Sequence, residues 1–260
     1  MADLSAFDRP QETIAWAREA VAEFGVEFHR FFNAGPYGAF TDVDPETGHK
    51  IHKVKLLTPL PPVLARKATE ALLHIRHSFD QSLYAGCVAI GKPPRNDIHF
   101  PWRRDPTDLE ATFHNRNSVI PPEFWDVLRR EEPYPTGDSY PGGDDAIREL
   151  AKIANRKHTV GLVIQAHVAG TAFMISSARN TDYLSTGGGG GWDPLKNEII
   201  LAVYSGDVQF DQQYSIASQV TFDITPPLGG LPVQKALDRF ADKAEHFLEA
   251  LKAECARIIT

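Results

Sequence analysis

The segment from Pro61 to Gly91, PPVLARKATEALLHIRHSFDQSLYAGCVAIG, constrains this chain more than any other. Leu64, Ala68, Leu72, Ile75, Phe79 and Leu83 recur at steps of three and four, which puts them in one stripe along an α-helix. An apolar stripe of that length has to be covered, so the other apolar faces of the chain are read first as its partners. Beside the stripe runs a second row, Leu73, Arg76, Asp80 and Tyr84, which carries a cation and a carboxylate one helical turn apart.

Three further helices have the same kind of face. Asp8 before Pro10, Gln11 and Glu12 makes a helix start, and Ile14, Ala17, Val21 and Phe24 continue it until Gly25, which reads as its stop. Ile147, Leu150, Ala151 and Ala154 define a helix opened by Asp144 or Asp145 and ending in Asn155-Arg156-Lys157-His158. From Pro232 to Ile259 another apolar face includes Val233, Ala236, Leu237, Phe240, Phe247, Leu248 and Leu251. Two short helices are expected between these, one capped by Asp105 and one started by Pro121-Pro122 and stopped by Pro133.

Strand signals fall in two places. Val26–Asn33, rich in aromatics, and His49–Leu57 read as a hairpin around the Gly-Pro and Asp-Pro turns of residues 34–48. After Thr159 the texture changes to short, β-branched or alternating segments at Val160–Val168, Thr171–Ser176, Glu198–Tyr204, Val208–Phe210 and Gln219–Ile224, as in an antiparallel sheet. The expected class is therefore α+β: a bundle of about four main helices, an N-terminal β-hairpin, and an antiparallel sheet inserted before the C-terminal helix. Because that helix returns after the strands, residues 1–260 are read as one domain. The alternative is a cut near Thr159, with a mainly helical 1–158 and a sheet plus final helix in 159–260.

Composition excludes some functions. With 27 Lys and Arg against 34 Asp and Glu the net charge is −7, which argues against broad electrostatic capture of nucleic acid. Cys87 and Cys255 stand alone, without zinc spacing or a disulfide framework. No apolar run reaches the roughly 18 to 20 residues needed to cross a bilayer, and MADLSAFDRPQET lacks the basic and apolar character of a secretory signal. The expectation is a cytoplasmic protein without a membrane partner. No cofactor is expected either: the five glycines from Gly187 to Gly191 are followed by Trp192 and open no strand-turn-helix frame, and they read as a loop. His74 and His77 lack a third metal ligand placed by sequence. Cys87 has apolar neighbours, and no serine sits in a nucleophile-elbow frame.

The chemistry-bearing residues that remain lie on two helices. Arg76 and Asp80 can meet across one turn, and His158 continues the inner face of Ile147, Ala151 and Ala154. LLTPLPP, LHIRHSFDQSLYAG, HFP, a Pro-Pro helix ending in EEPY, and IRELAKIANRKHTV follow one another in the order seen in a widespread family of uncharacterised bacterial proteins. That family has a helix reading L-R-x-x-L-D-H-x-x-Y, an F-P loop, a Q-P-Y turn and a helix ending in N-x-x-K-H or N-K-H. The chain resembles it over about Phe24 to Val163. The resemblance marks Arg76, Asp80, Tyr84, Phe100, Pro101, Pro133, Tyr134, Asn155, Lys157 and His158, and it implies no established activity. The chain departs from the pattern at Phe79, where the family has leucine, and at Gln81, which stands in place of an imidazole suited to acid–base work.

These residues lead to three expectations. The first is a site for a small anionic or nucleotide-like molecule between two helices. Arg76 and Lys157 would bind the anion, Asp80, Tyr84 and Asn155 would complete the polar site, and His158 would carry protons if there is catalysis. The second follows from an echo of HEPN-type helical ribonucleases in the family's Arg and His spacing, with Arg239 and His246 as a further pair on one face of the last helix. The third is a scaffold in which the same polar groups are hydrogen bonds of the core.

Overall fold

A computed structural model describes residues 4–156, 162–186, 191–211, 215–223 and 230–259, with only the backbone for 154–156. The chain mixes helices with antiparallel strands, as an α+β protein does. Its helices are α1 (Asp8–Asn33), α2 (Pro62–Ala89), α3 (Pro106–Phe113), α4 (Trp125–Glu131), α5 (Asp145–Arg156) and α6 (Val233–Ile259). Its strands are β1 (Tyr37–Val43), β2 (Lys50–Leu56), β3 (Ile164–Ala172), β4 (Ile175–Arg179), β5 (Leu184–Thr186), β6 (Glu198–Tyr204), β7 (Asp207–Phe210) and β8 (Ser215–Phe222). Among the described residues no helix is long and apolar enough to cross a membrane.

Contacts divide the chain into two units, one of Met1–Gly25, Ala65–Val163 and Ile224–Thr260, the other of Val26–Leu64 and Ile164–Asp223. The first is helical. The α2 stripe expected from the sequence is fully buried, with Ala68, Leu72, Ile75, Phe79 and Leu83 at 1% exposure or less. Val233, Ala236, Leu237, Phe240, Phe247, Leu248 and Leu251 of α6 are buried too, and α6 contacts α4 and α5. Two small residues allow close approach within this unit. A Cβ at Gly86 would lie 3.1 Å from Phe124, and one at Gly25 would lie 3.0 Å from the Gln234 amide.

The Gly25 contact explains a correction. Gly25 does not end the first helix, and Val26–Asn33 is no strand: α1 runs on to Asn33, and the β-hairpin is made by β1 and β2. Phe24, Phe28 and Phe31 keep the four- and three-residue beat, Phe28 and Phe32 touch one turn apart at 4.7 Å, and Glu27 pairs with Arg30. Gly25 thus serves packing at a propensity cost of about 1 kcal/mol. The helix stops instead at Gly35, whose φ of +71° suits a C-terminal glycine and whose N–H donates to Phe32 O.

The second unit holds the sheets. Four strands pair in the order β1-β2-β6-β5, and β3 with β8 and β4 with β7 make two two-stranded ladders. The β1–β2 turn is closed by Asp44, whose carboxylate accepts from Glu46 N and Thr47 Oγ1. Within this unit the His52 ring stacks on Phe210 at 3.9 Å and 7°, and burial pushes its pKa down. Other strand boundaries differ from expectation, among them β8, which begins at Ser215 and not at Gln219. Residues 173 and 174 lie between β3 and β4, so Thr171–Ser176 is not one strand, and β5 falls where the sequence reading places no strand.

Candidate functional site

The polar row of α2 gains its surroundings from the loop that follows the helix. Phe100 N–H donates to Asp80 Oδ1 at 2.8 Å, which ties Ile98–Trp102 back onto α2. That hydrogen bond joins two of the sequence signatures, HSFD and HFP. Apolar packing beneath it is dense: Phe79 lies 4.8 Å from Phe100 and 5.4 Å from Trp102, and Phe247 of α6 contacts both Phe79 and Phe100. Arg103 N–H donates to Pro133 O, and its Nε to Thr112 Oγ1 at 2.6 Å, so the loop is also held at its far end.

Above this floor is a cleft of about 470 Å³ within the helical unit, bounded by Arg76, the 97–103 loop, Thr112 and residues 115–120. Arg76 is its least satisfied group. Its side chain is 26% exposed, its guanidinium lies 5.6 Å over the Trp102 ring, and its Nη1 is 3.7 Å from Asp80 Oδ2, too long for a hydrogen bond. Its Nε is buried and unpartnered among the described residues, and so are Trp102 Nε1 and Ser118 Oγ in the same walls. Each such orphan costs about 1–3 kcal/mol if nothing meets it.

The charge around the cleft is unbalanced in one direction. Arg103 faces it with hydrogen bonds only to neutral oxygens, Thr112 Oγ1 and Trp102 O. Asp97 is engaged by Arg95 through two hydrogen bonds, and Asp80 is only 19% exposed and bonded to Phe100 N. With Asp97 paired to Arg95, the two guanidiniums Arg76 and Arg103 outnumber the remaining carboxylate, Asp80. His99 sits at the mouth, exposed, with Nδ1 3.6 Å from Asp80 Oδ2, which places a titratable imidazole beside the anion-attracting groups.

Of the residues marked in the sequence, Arg76 and Asp80 come together here. Tyr84 is exposed and is not among the residues that line the cleft. Lys157 and His158 lie outside the described residues, as does the side chain of Asn155. Gln81, at the position where the resembled family has histidine, has a buried and unpartnered Oε1. Sequence reasoning missed His99, Trp102, Arg103 and Ser118. The one available signal was the run HFPWRRD, where an aromatic and two arginines follow the F-P pair in a loop without period.

A second cluster lies elsewhere in the same unit. Glu131 is buried at the end of α4 and receives His246 Nδ1 at 3.1 Å. Asp144 caps α5 by accepting from Ala146 N and Ile147 N, and pairs with Lys243 at 2.6 Å. His246 is thus engaged by Glu131. Burial raises the Glu131 carboxyl pKa against the pull of His246 and Lys243. For Asp144 burial is outweighed by Lys243 and the two amides, and the pKa is lowered. No group of three or more His, Cys, Asp or Glu among the described residues is placed to hold a metal ion.

No family model, curated protein or solved structure matches this chain.

Proposed function

We propose that the protein binds a small anionic ligand in the cleft beside α2, with Arg76 and Arg103 as the charged contacts. The observation that carries this reading is Arg76 itself, a half-buried guanidinium with an orphaned Nε and, among the described residues, no carboxylate within hydrogen-bond distance. An arginine of this kind presents a planar fork of donors suited to carboxylate or phosphate oxygens. Asp80 supports the site as a positioning residue: it fixes the loop through Phe100 N and leaves Arg76 only loosely engaged. Trp102 covers one face of the guanidinium and limits its freedom. On this reading the four long helices act as a bundle whose packing keeps α2 and its loop in place, and Lys157, Asn155 and His158 would add to the anion site from the end of α5.

Titration calorimetry with inorganic phosphate and with acetate, on the wild type and on Arg76→Ala and Arg103→Ala, tests the proposal. Saturable binding weakened at least about tenfold by either variant is expected, since a charge-assisted hydrogen bond contributes about 1.5–3 kcal/mol. If neither anion binds and Arg76→Ala mainly lowers the melting temperature, Arg76 is a structural residue and the proposal fails.

A further inference from the structure

A second hollow, of about 250 Å³, adjoins the cleft within the helical unit. The two share Ser118, Val119 and Ile120, and both are walled by the same pair of chain segments, 92–103 and 115–122. They therefore run end to end along one trough. Their linings differ in kind. Arg76, Arg103, His99 and Trp102 mark the first end, whereas Cys87, Pro93, Ile98, Pro121 and Pro122 give the second an apolar surface.

The polar groups of the second end are already neutralised. Lys92 pairs with Glu123 at 3.2 Å, and Arg95 holds Asp97. Burial pushes the Cys87 thiol up to about 11, so at neutral pH it is an uncharged, weakly polar wall. Arg76, Arg103, Lys92 and Arg95 are set against Asp80, Asp97 and Glu123, and with Lys92 paired to Glu123 and Arg95 to Asp97 the one positive charge in excess belongs to the first end. One excess positive charge matches one negative charge on the ligand.

Resting on the anion-binding reading above, we infer that the ligand is an amphipathic monocarboxylate, with its carboxylate at Arg76 and Arg103 and an apolar chain or ring laid along the trough toward Cys87 and Ile98. A dianionic phosphate would exceed the local positive charge, and a bare small anion would leave the apolar end unused. Concave sites that bury most of a ligand combine an apolar lining with a few fixed polar groups in this way.

The test compares acetate, inorganic phosphate and octanoate by calorimetry on the full chain, with Pro93→Trp as the key variant. Pro93 is exposed and lines only the apolar end, so a tryptophan there fills the second hollow without touching the anion contacts. Octanoate is expected to bind at least about 60-fold more tightly than acetate, the effect of three buried methylenes at ~0.8 kcal/mol each. Pro93→Trp should remove most of that advantage while leaving acetate affinity unchanged. Acetate or phosphate binding as tightly as octanoate would overturn the inference and leave the anion site standing. Absence of binding by all three would overturn both. Equal octanoate affinity in Pro93→Trp and wild type would also overturn it, because the chain would then lie elsewhere.

Discussion

Two of the clusters of opposite charge in the helical unit are built differently. Around Glu131 and Asp144 each carboxylate has a partner from α6 at hydrogen-bond distance, His246 Nδ1 or Lys243 Nζ, and Asp144 also accepts two helix N–H groups. Around Asp80 the carboxylate is bonded to one loop amide, while the neighbouring Arg76 stands off at 3.7 Å with an orphaned donor. The first arrangement is closed: its groups satisfy one another and need nothing added. The second is open, and its unmet hydrogen bonds include that of a cation, Arg76 Nε, beside those of Trp102 Nε1 and Ser118 Oγ. Ion pairs of similar composition thus separate into structure and candidate site by whether their hydrogen-bonding capacity is used up.

The largest effect is expected in the floor of the open cluster. Phe79→Ala removes a ring in contact with Phe100, Trp102 and Phe247 and should cost about 3–5 kcal/mol in denaturant unfolding. Phe79→Leu, the residue of the resembled family, should cost less than about 1.5 kcal/mol. A small loss for Phe79→Ala would mean that the loop is not held by this packing. In the closed cluster, Asp144→Ala removes a helix cap and the Lys243 partner together, and a loss of about 2 kcal/mol is expected from the cap and the partly buried pair.

The closed cluster also makes a prediction about pH. Glu131 has a raised pKa in the folded chain, so its contribution to stability is full below the ordinary carboxylate range and is lost as pH rises through the folded value. Asp144 has the opposite sign: its contribution is present above its unfolded pKa and is lost as pH falls through the lowered value. Glu131→Gln should therefore gain stability relative to the wild type as pH rises from the ordinary carboxylate range through the raised folded value, as measured by melting temperature. A constant difference across that range would remove burial of Glu131 from the account.

The smallest stability effect belongs to Arg76. Arg76→Ala should change unfolding free energy by less than about 1 kcal/mol, because a long, part-exposed ion pair contributes little. Its effect should be on ligand affinity instead. Should Arg76→Ala destabilise as much as Asp144→Ala, the two clusters would be of one kind and the distinction would collapse.

Parts of this organisation were legible before any coordinates. The α2 stripe, the Asp105 cap that accepts from Asp108 N–H, the start of α5 at Asp144 or Asp145 and the face of α6 follow local rules, because a helix writes its period and its caps into adjacent residues. The end of α1 is not legible in the same way, because Gly25 has the form of a helix stop but is there for contact with Gln234, a residue far away in sequence. Strand β1 escaped notice for a related reason. Its side chains, including Phe40 and Val43, are largely exposed, so it has no alternation of buried and exposed residues to reveal it.

For the site, the sequence alone determined that Arg76 and Asp80 share one edge of a long helix, since residues four apart on a helix must be neighbours. It did not determine what faces them. His99, Trp102, Arg103 and Ser118 reach the cleft because the loop after α2 folds back, pinned by Asp80 to Phe100 N and by Arg103 N to Pro133 O. Whether a charged pair is closed or left open depends on such non-local hydrogen bonds, and only the tertiary structure decides them, because no periodicity along the chain records which loop returns to which helix.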